Sequence, residues 1–441
     1  MHDKPTVFVD DFALERVPPA SRRPMRDVLW VRLGVLTAMS QFVLGAALGY
    51  GMTFWTAFWA IIIGSVLLEI VSLLIGIAGA WEGLPTGVLA RWSGFGKFGS
   101  GLMSLVVAVG STAWFGVQNS IFADAVNRAT GGHLGLPLCS LLTGFFVTLI
   151  AIFGFRWLAW TASVTVPAFV AVVGYGLYRV LATESLGELV RLPAPGPELA
   201  LATGATMVAG GYMLGAVVTP DIARFCRTGK DVFWMTLIST FLGELGIGLA
   251  AVLLAHAVRT QNVISIIFNV AGWLGVTVVS LATVKINDVN LYGSSLHLTN
   301  ALQALFRWRV NRGVVTALLG GIGTGFSIIG ILEHFVDFLL VLGVAIPPIG
   351  GILIVDYFIL KRDRAALAAG RPMLSLPHSC EWINPVGVLA WLAGFLAAYV
   401  IPDGIASLNS ILVSGLLYFA GMKLLAYRAK RPTKRFALVR N

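Results

Sequence analysis

The sequence predicts an all-α integral membrane protein of about twelve transmembrane helices. Three observations predict it. Of the 441 residues, 57% are hydrophobic and only 12% charged, against about 25% charged in a typical soluble domain. Such a chain has too few polar groups to cover its surface in water, a need that lipid removes. Apolar segments of about 20 residues, the length that crosses the hydrocarbon core, follow one another with no gap large enough for a soluble domain. Lys and Arg gather in short clusters on alternate connections, which is the positive-inside pattern.

The segments are 33–52, 55–80, 101–124, 138–155, 157–180, 200–220, 232–256, 265–300, 313–331, 335–360, 383–401 and 405–427. Tilt absorbs the longer ones, but 265–300 exceeds one simple span and is expected to begin with a short surface helix. Residues 1–32 are polar, with Arg22, Arg23 and Arg26 and no apolar core before them. The first span, not a cleaved leader, is therefore expected to target the chain. Arg156 alone separates the fourth and fifth segments. The stretch 182–199, with Glu184, Glu188, Glu198 and three prolines, reads as an outside loop joining two bundles of five helices, 33–180 and 200–360. Two further helices, 383–427, precede a basic tail, 428–441.

With the N-terminus inside, six basic residues of the first segment, thirteen of the inner connections and seven of the tail fall in the cytoplasm, 26 of the 31. Only Arg128, Arg179, Arg191 and Arg259 fall outside, and Lys285 lies within a span. This asymmetry places both ends in the cytoplasm of a multi-pass inner-membrane protein in contact with lipid. It also explains the formal charge of +10 without nucleic acid. Cys139, Cys226 and Cys380 fall near opposite faces, so neither a disulfide framework nor a cysteine metal site is expected. No phosphate loop, zinc spacing or nucleophile elbow is present, and His133, His256, His297, His334 and His378 are scattered. The chain is not read as an enzyme, and no cofactor or metal is implied.

Polar groups inside spans are the informative ones, because in lipid they face the bundle interior. The third span reads Gly110-Ser-Thr-Ala-Trp-Phe-Gly-Val-Gln-Asn119, which puts Trp114 and Gln118 one turn apart on one face. An indole with an amide beside it suits a small flat polar heterocycle; the competing reading is core packing and an interhelical bond. The sixth span reads Met207-Val-Ala-Gly-Gly-Tyr-Met-Leu-Gly215. Its glycines suggest a helix broken at mid-membrane to expose backbone groups to a cavity, or close helix packing. The eighth span gathers Lys285, Asn287, Asp288 and Asn290 within two turns, where Lys285 and Asp288, at i and i+3, can neutralise each other. Glu69 and Glu244 are also embedded.

These residues carry a family resemblance. Gly83-Leu-Pro-Thr, Leu89-Ala-Arg-Trp-Ser, Trp114-Phe-Gly-Val, Pro220-Asp-Ile-Ala-Arg-Phe, Asn287-Asp-Val-Asn-Leu-Tyr, Ala345-Ile-Pro-Pro-Ile-Gly-Gly and Asp356-Tyr, in that order, resemble the cytosine permeases of the nucleobase–cation symporter-1 family. The resemblance implies the LeuT-type inverted repeat of five plus five helices with two additional C-terminal helices. It implies breaks in spans one and six, the first near Ser40 to Gly45. It also implies a base held between Trp114 and Tyr212, with the backbone of Gly211, Met213 and Leu214 against it, and Gln118, Asn287, Asn290 and Ser111 around it. Ser111 and Ala282 stand where cytosine permeases carry Gln and Asn. The family's sodium site joins span one, here around Ser40 and Gln41, to span eight just before Asn287. Here Lys285 and Ile286 replace small hydroxyl residues, which puts an ammonium where sodium would sit, able to bond the exposed carbonyls of span one, with Asp288 as its expected side-chain partner.

The reading is a monomeric secondary transporter importing a small planar nitrogen heterocycle by alternating access, sodium-independent and either proton-coupled or facilitated. An amino-acid or amine transporter on the same fold, and a receptor or scaffold without transport, remain as alternatives.

Overall fold

Backbone N–H and C=O groups in hydrocarbon find no water, so a spanning chain satisfies them within helices. The computed structural model describes residues 12, 14–36, 39–153, 155–308 and 310–430. Span one is a pair of helices, Met25–Leu36 and Met39–Gly51; spans two to five are Phe54–Glu82, Gly96–Ala129, Leu136–Phe153 and Phe155–Leu181. Spans six, seven, eight and ten are Leu201–Ala223, Gly229–Val258, Val263–Phe306 and Phe335–Leu360. Arg312–Ile328, Pro385–Val400 and Ala406–Lys430 are spans nine, eleven and twelve. Among the described residues, seven helices are long and apolar enough to cross a membrane, the bent pair of span one makes an eighth, and four more are shorter apolar helices. The junction of spans four and five, at Gly154, lies outside the described residues.

Local chemistry sets the ends. Thr53 caps span two by accepting from the Thr56 amide, and Gly83, at φ 65°, closes its other end. Thr228 and Asp231 form a reciprocal capping box on span seven, and Asn262, Asn311 and Asn384 cap spans eight, nine and eleven, each satisfying amides the helix leaves free. Gly272, at φ 60° and ψ −155°, breaks span eight into a short helix and a long one. This agrees with the expected short leading helix.

Spans two and six pack along each other, as do seven and the second half of one, three and eight, and four and nine. Exchanging one with six, two with seven, three with eight and four with nine maps this set of pairs onto itself, the signature of an inverted repeat. Span three lies at the centre, with 78% of its most apolar window buried, and span twelve at the rim, with 22%. Exposed Trp55, Trp59, Phe145 and Leu412 give the outside its apolar character.

Three expectations are corrected. Span one starts at Met25, not near residue 33, so Arg32 lies within a span and is fully buried. Its bend, 54° between Met25–Gly34 and Met39–Gly51, precedes Ser40 to Gly45, which are helical; residues 37–38 lie outside the described set. Gly45 is small for another reason: a Cβ there would meet the Gly248 carbonyl and come within 2.8 Å of Ala251 Cβ. Span six is not broken at its glycines. The helix runs unbroken over Leu201–Val217, and only a tight turn at Val218–Thr219 precedes Pro220, which lacks an amide donor. Gly210 lies directly against the Leu339 carbonyl of span ten, and a Cβ on Gly211 would come within 2.9 Å of Leu44 in span one. The glycines serve close packing, so a broken span six lends the transport reading no support.

Gly210→Leu therefore forces spans six and ten apart. Overpacking of this kind destabilises by about 1–3 kcal/mol or more, and thermal unfolding in detergent is expected to show a clearly lowered midpoint. An unchanged midpoint contradicts this packing.

Candidate functional site

Trp114 and Gln118 are both buried on span three. The Trp114 ring meets Phe335 of span ten at 6.0 Å and 74°, and Phe338 at 5.3 Å and 76°, the edge-to-face geometry aromatic rings favour. The Gln118 amide is fully buried, yet neither its nitrogen nor its oxygen has a hydrogen-bond partner among the described residues. Buried polar atoms are rarely left so. One turn before Trp114, Gly110 packs against Leu214, two residues beyond Tyr212; a Cβ on Gly110 would come within 2.7 Å of the Leu214 side chain. This brings the Trp114 and Tyr212 regions together. Ser111 and Met213 are buried within the same two spans, and Leu214 is half-buried.

The polar cluster of span eight divides. Asn287 donates to the Phe115 carbonyl of span three at 3.3 Å, and Asn290 donates to Asn287 at 3.3 Å. The Lys285 ammonium donates to the Gly34 carbonyl at 3.0 Å, at the end of the first helix of span one. Lys285 and Asp288 form no ion pair among the described residues, and one Asp288 carboxylate oxygen is buried without a hydrogen-bond partner. Ser40 and Gln41 lie past the bend, in the second helix of span one, where the Gln41 amide nitrogen is also unpartnered.

Fully buried Arg32 donates to three hydroxyls: Ser72 of span two at 2.9 Å, Thr219 of span six at 3.0 Å and Ser239 of span seven at 3.0 Å. Its guanidinium also lies 5.3 Å from the centre of the Tyr212 ring, a cation–π distance. Glu69 is a packing residue, accepting from Thr236 at 2.7 Å and Thr240 at 3.1 Å, both on span seven. Glu244, also on span seven, is buried with one oxygen lacking a hydrogen-bond partner. At the ends of spans three, six and eight a polar cleft of about 40 Å³ is lined by Asp221, Arg224, His297, Arg91 and Asn300 among others. There Asp221 accepts from the Thr86 amide at 2.8 Å and lies 3.6 Å from the His297 ring.

Over residues 23–421 the chain matches the family described as permease for cytosine/purines, uracil, thiamine and allantoin. The chain belongs to that family. It is 30% identical to the cytosine permease of Escherichia coli, covering 93% of each. It is 22% identical to the hydantoin permease of Microbacterium maritypicum over 90% of this chain and 85% of the relative. The fold is that of Mhp1 in its inward-facing conformation, with a TM-score of 0.79 at 20% identity over 97% and 96% of the two chains. Mhp1 closed on bromovinylhydantoin gives 0.74, at 20% identity over 96% and 97%.

Within this permease, sequence reasoning missed Arg32, Phe335 and Phe338. Arg32 sits at the polar edge of an apolar run, where it reads as a loop charge. The two phenylalanines read as lipid or core residues, and only their spacing at i and i+3 on one helical face hints that both reach one neighbour.

Each Arg32 bond involves a charged donor, worth about 1.5–3 kcal/mol. Ser72→Ala is expected to lower the thermal midpoint measurably, and Arg32→Ala to lower it much further by releasing three helices at once. Equal midpoints for Arg32→Ala and Ser72→Ala contradict this arrangement.

Proposed function

We propose that this permease imports a small planar nitrogen heterocycle, a nucleobase or a close relative, by alternating access and without sodium. The observation that carries the substrate class is the unpartnered Gln118 amide one turn from Trp114. A flat heterocycle offers a face for stacking and an in-plane edge of ring N–H and C=O groups. Trp114 supplies the stacking surface, and the amide supplies one acceptor and two donors for the edge. Tyr212, the neighbouring backbone of Gly211, Met213 and Leu214, and the polar side chains of Ser111, Asn287 and Asn290 complete the proposed pocket. Cytosine, purines and uracil, among the family's named substrates, are of this flat, nitrogen-rich kind. An aliphatic amino acid would gain little from an indole face.

The Lys285 bond to Gly34 supports the coupling reading. A fixed ammonium between spans one and eight occupies the polar groups a bound cation would use. A second cation about 4 Å away meets a repulsion of about 4 kcal/mol at an effective dielectric near 20. The proposed transport is either proton-coupled or facilitated, with Lys285, Asp288, Ser40 and Gln41 as the coupling positions. The proposal extends to an inner-membrane monomer with both termini cytoplasmic and two repeats, the first running from Met25 to the end of span five and the second from Leu201 to Leu360. The cleft at Asp221 and His297 then serves as the inner exit.

Base–aromatic stacking contributes about 1–3 kcal/mol, so Trp114→Ala is expected to weaken substrate binding about 10- to 100-fold without loss of expression. Unchanged affinity removes Trp114 from the site. In proteoliposomes with sodium and pH gradients varied separately, uptake is expected to ignore sodium and to be lost in a folded Lys285→Ala variant. Stimulation by sodium in the native protein overturns the coupling reading.

A further inference from the structure

Four arginines from three segments converge on one cavity at the end of the bundle that carries the N-terminal segment. It has a volume of about 400 Å³ and is lined by Arg16, Arg22, Arg227, Arg371, Glu82 and Trp81, with a few smaller residues. Arg16 and Arg22 precede span one, Trp81 and Glu82 end span two, Arg227 lies in the turn between spans six and seven, and Arg371 lies in the connection after span ten.

Glu82 is the one carboxylate among the lining residues, and its bonding capacity is taken. It accepts from Arg16 at 3.0 Å, from Arg371 at 3.0 Å and from the Tyr357 hydroxyl. Arg16 is further held by the carbonyls of Leu367 and Ser375. The other two arginines are not so satisfied. Arg22 donates to the Cys226 carbonyl at 3.3 Å, but its Nε is buried with no hydrogen-bond partner. Arg227 is exposed and makes no hydrogen bond or ion pair among the described residues. Burial holds the Arg22 guanidinium below its usual pKa, and the positive charges of Arg371 and Arg16 act in the same direction. Clustered guanidiniums with one saturated carboxylate leave an excess of positive charge facing a cavity open to the surface. An anion relieves the repulsion, and the planar fork of arginine matches the oxygens of a phosphate group.

We propose that this cavity binds a phosphate-bearing anion through Arg22 and Arg227, with Glu82 holding Arg16 and Arg371 in place around it. A lipid headgroup and a soluble phosphate share the chemistry, and the cavity is roomy enough for either. Binding joins the segment before span one to the ends of spans two, six and ten. It is therefore expected to stabilise the folded protein by mass action.

Thermal unfolding of the full-length purified protein tests this. In one arm inorganic phosphate is titrated in detergent against sodium chloride at matched ionic strength; in the other, nanodiscs of neutral phosphatidylcholine are compared with and without phosphatidic acid. A saturable rise in midpoint with phosphate identifies a soluble ligand, and a rise with phosphatidic acid alone identifies a lipid headgroup. Loss of one charged contact weakens binding about tenfold or more, and this is the shift expected in Arg22→Ala and Arg227→Ala. Because Arg227 is exposed and unbonded, Arg227→Ala and the charge-reversed Arg227→Glu keep the test readable should Arg22→Ala fail to fold. The proposal is overturned if neither anion raises the midpoint, or if the rise is the same in the Arg227 variants.

Discussion

A polar group carried into hydrocarbon must find its partner inside the protein, and the Arg32 site shows how far the architecture is arranged around that demand. A guanidinium at the heart of span one has no carboxylate bonded to it among the described residues. It is held by the hydroxyls of Ser72, Thr219 and Ser239 on three other helices. Two of these hydroxyls also donate to a carbonyl of their own helix, Thr219 to Gly215 and Ser239 to Met235. Span one can occupy its place only if spans two, six and seven stand where they do, and Glu69 binds two and seven together a second time. Where polar atoms are satisfied in this way the role is architectural. The unpartnered amide of Gln118 stands apart from that pattern, which is why it directs the substrate reading.

Much of this fold was legible in the sequence, because hydropathy and the sign of the connecting charges report directly on what lipid tolerates. The segment boundaries followed from that alone, apart from the start of span one, as did the short helix leading span eight. Trp114 and Gln118 were legible as a pair because helical spacing puts them on one face. The glycines of span six were not. A broken helix and a closely packed one look the same in sequence, and the deciding neighbour, the Leu339 carbonyl, belongs to another span. The bond of Lys285 to span one follows from the family resemblance, which puts its ammonium where exposed span-one carbonyls lie, and not from spacing. Spacing pointed to Asp288 on the same helix, whereas the bond runs to the backbone of span one. Backbone acceptors carry no sequence signature.

The relatives sharpen what is particular to this permease. A fold shared at 20% identity is held by helix packing that many sequences satisfy. The chain is 30% identical to a cytosine permease, so most side chains differ while the family is kept. Lys285 places a charge between spans eight and one.

The polar bonds also sort the helices into two bodies. Arg32 and Glu69 join spans one, two, six and seven. A second set joins three, four, eight and nine: Asn119 donates to the Ser140 carbonyl, Ser120 to Ser327, Ser327 to Ser140, and Asn287 to the Phe115 carbonyl. The Lys285 bond to Gly34 and the approach of His297 to Asp221 cross from one body to the other. Rocking one body against the other leaves the internal bonds of each intact and strains the links that cross. Both of those links involve ionisable side chains, one reaching a backbone oxygen and the other a carboxylate. The joint between the bodies is thus fastened by electrostatic latches, whose grip weakens when water enters between them.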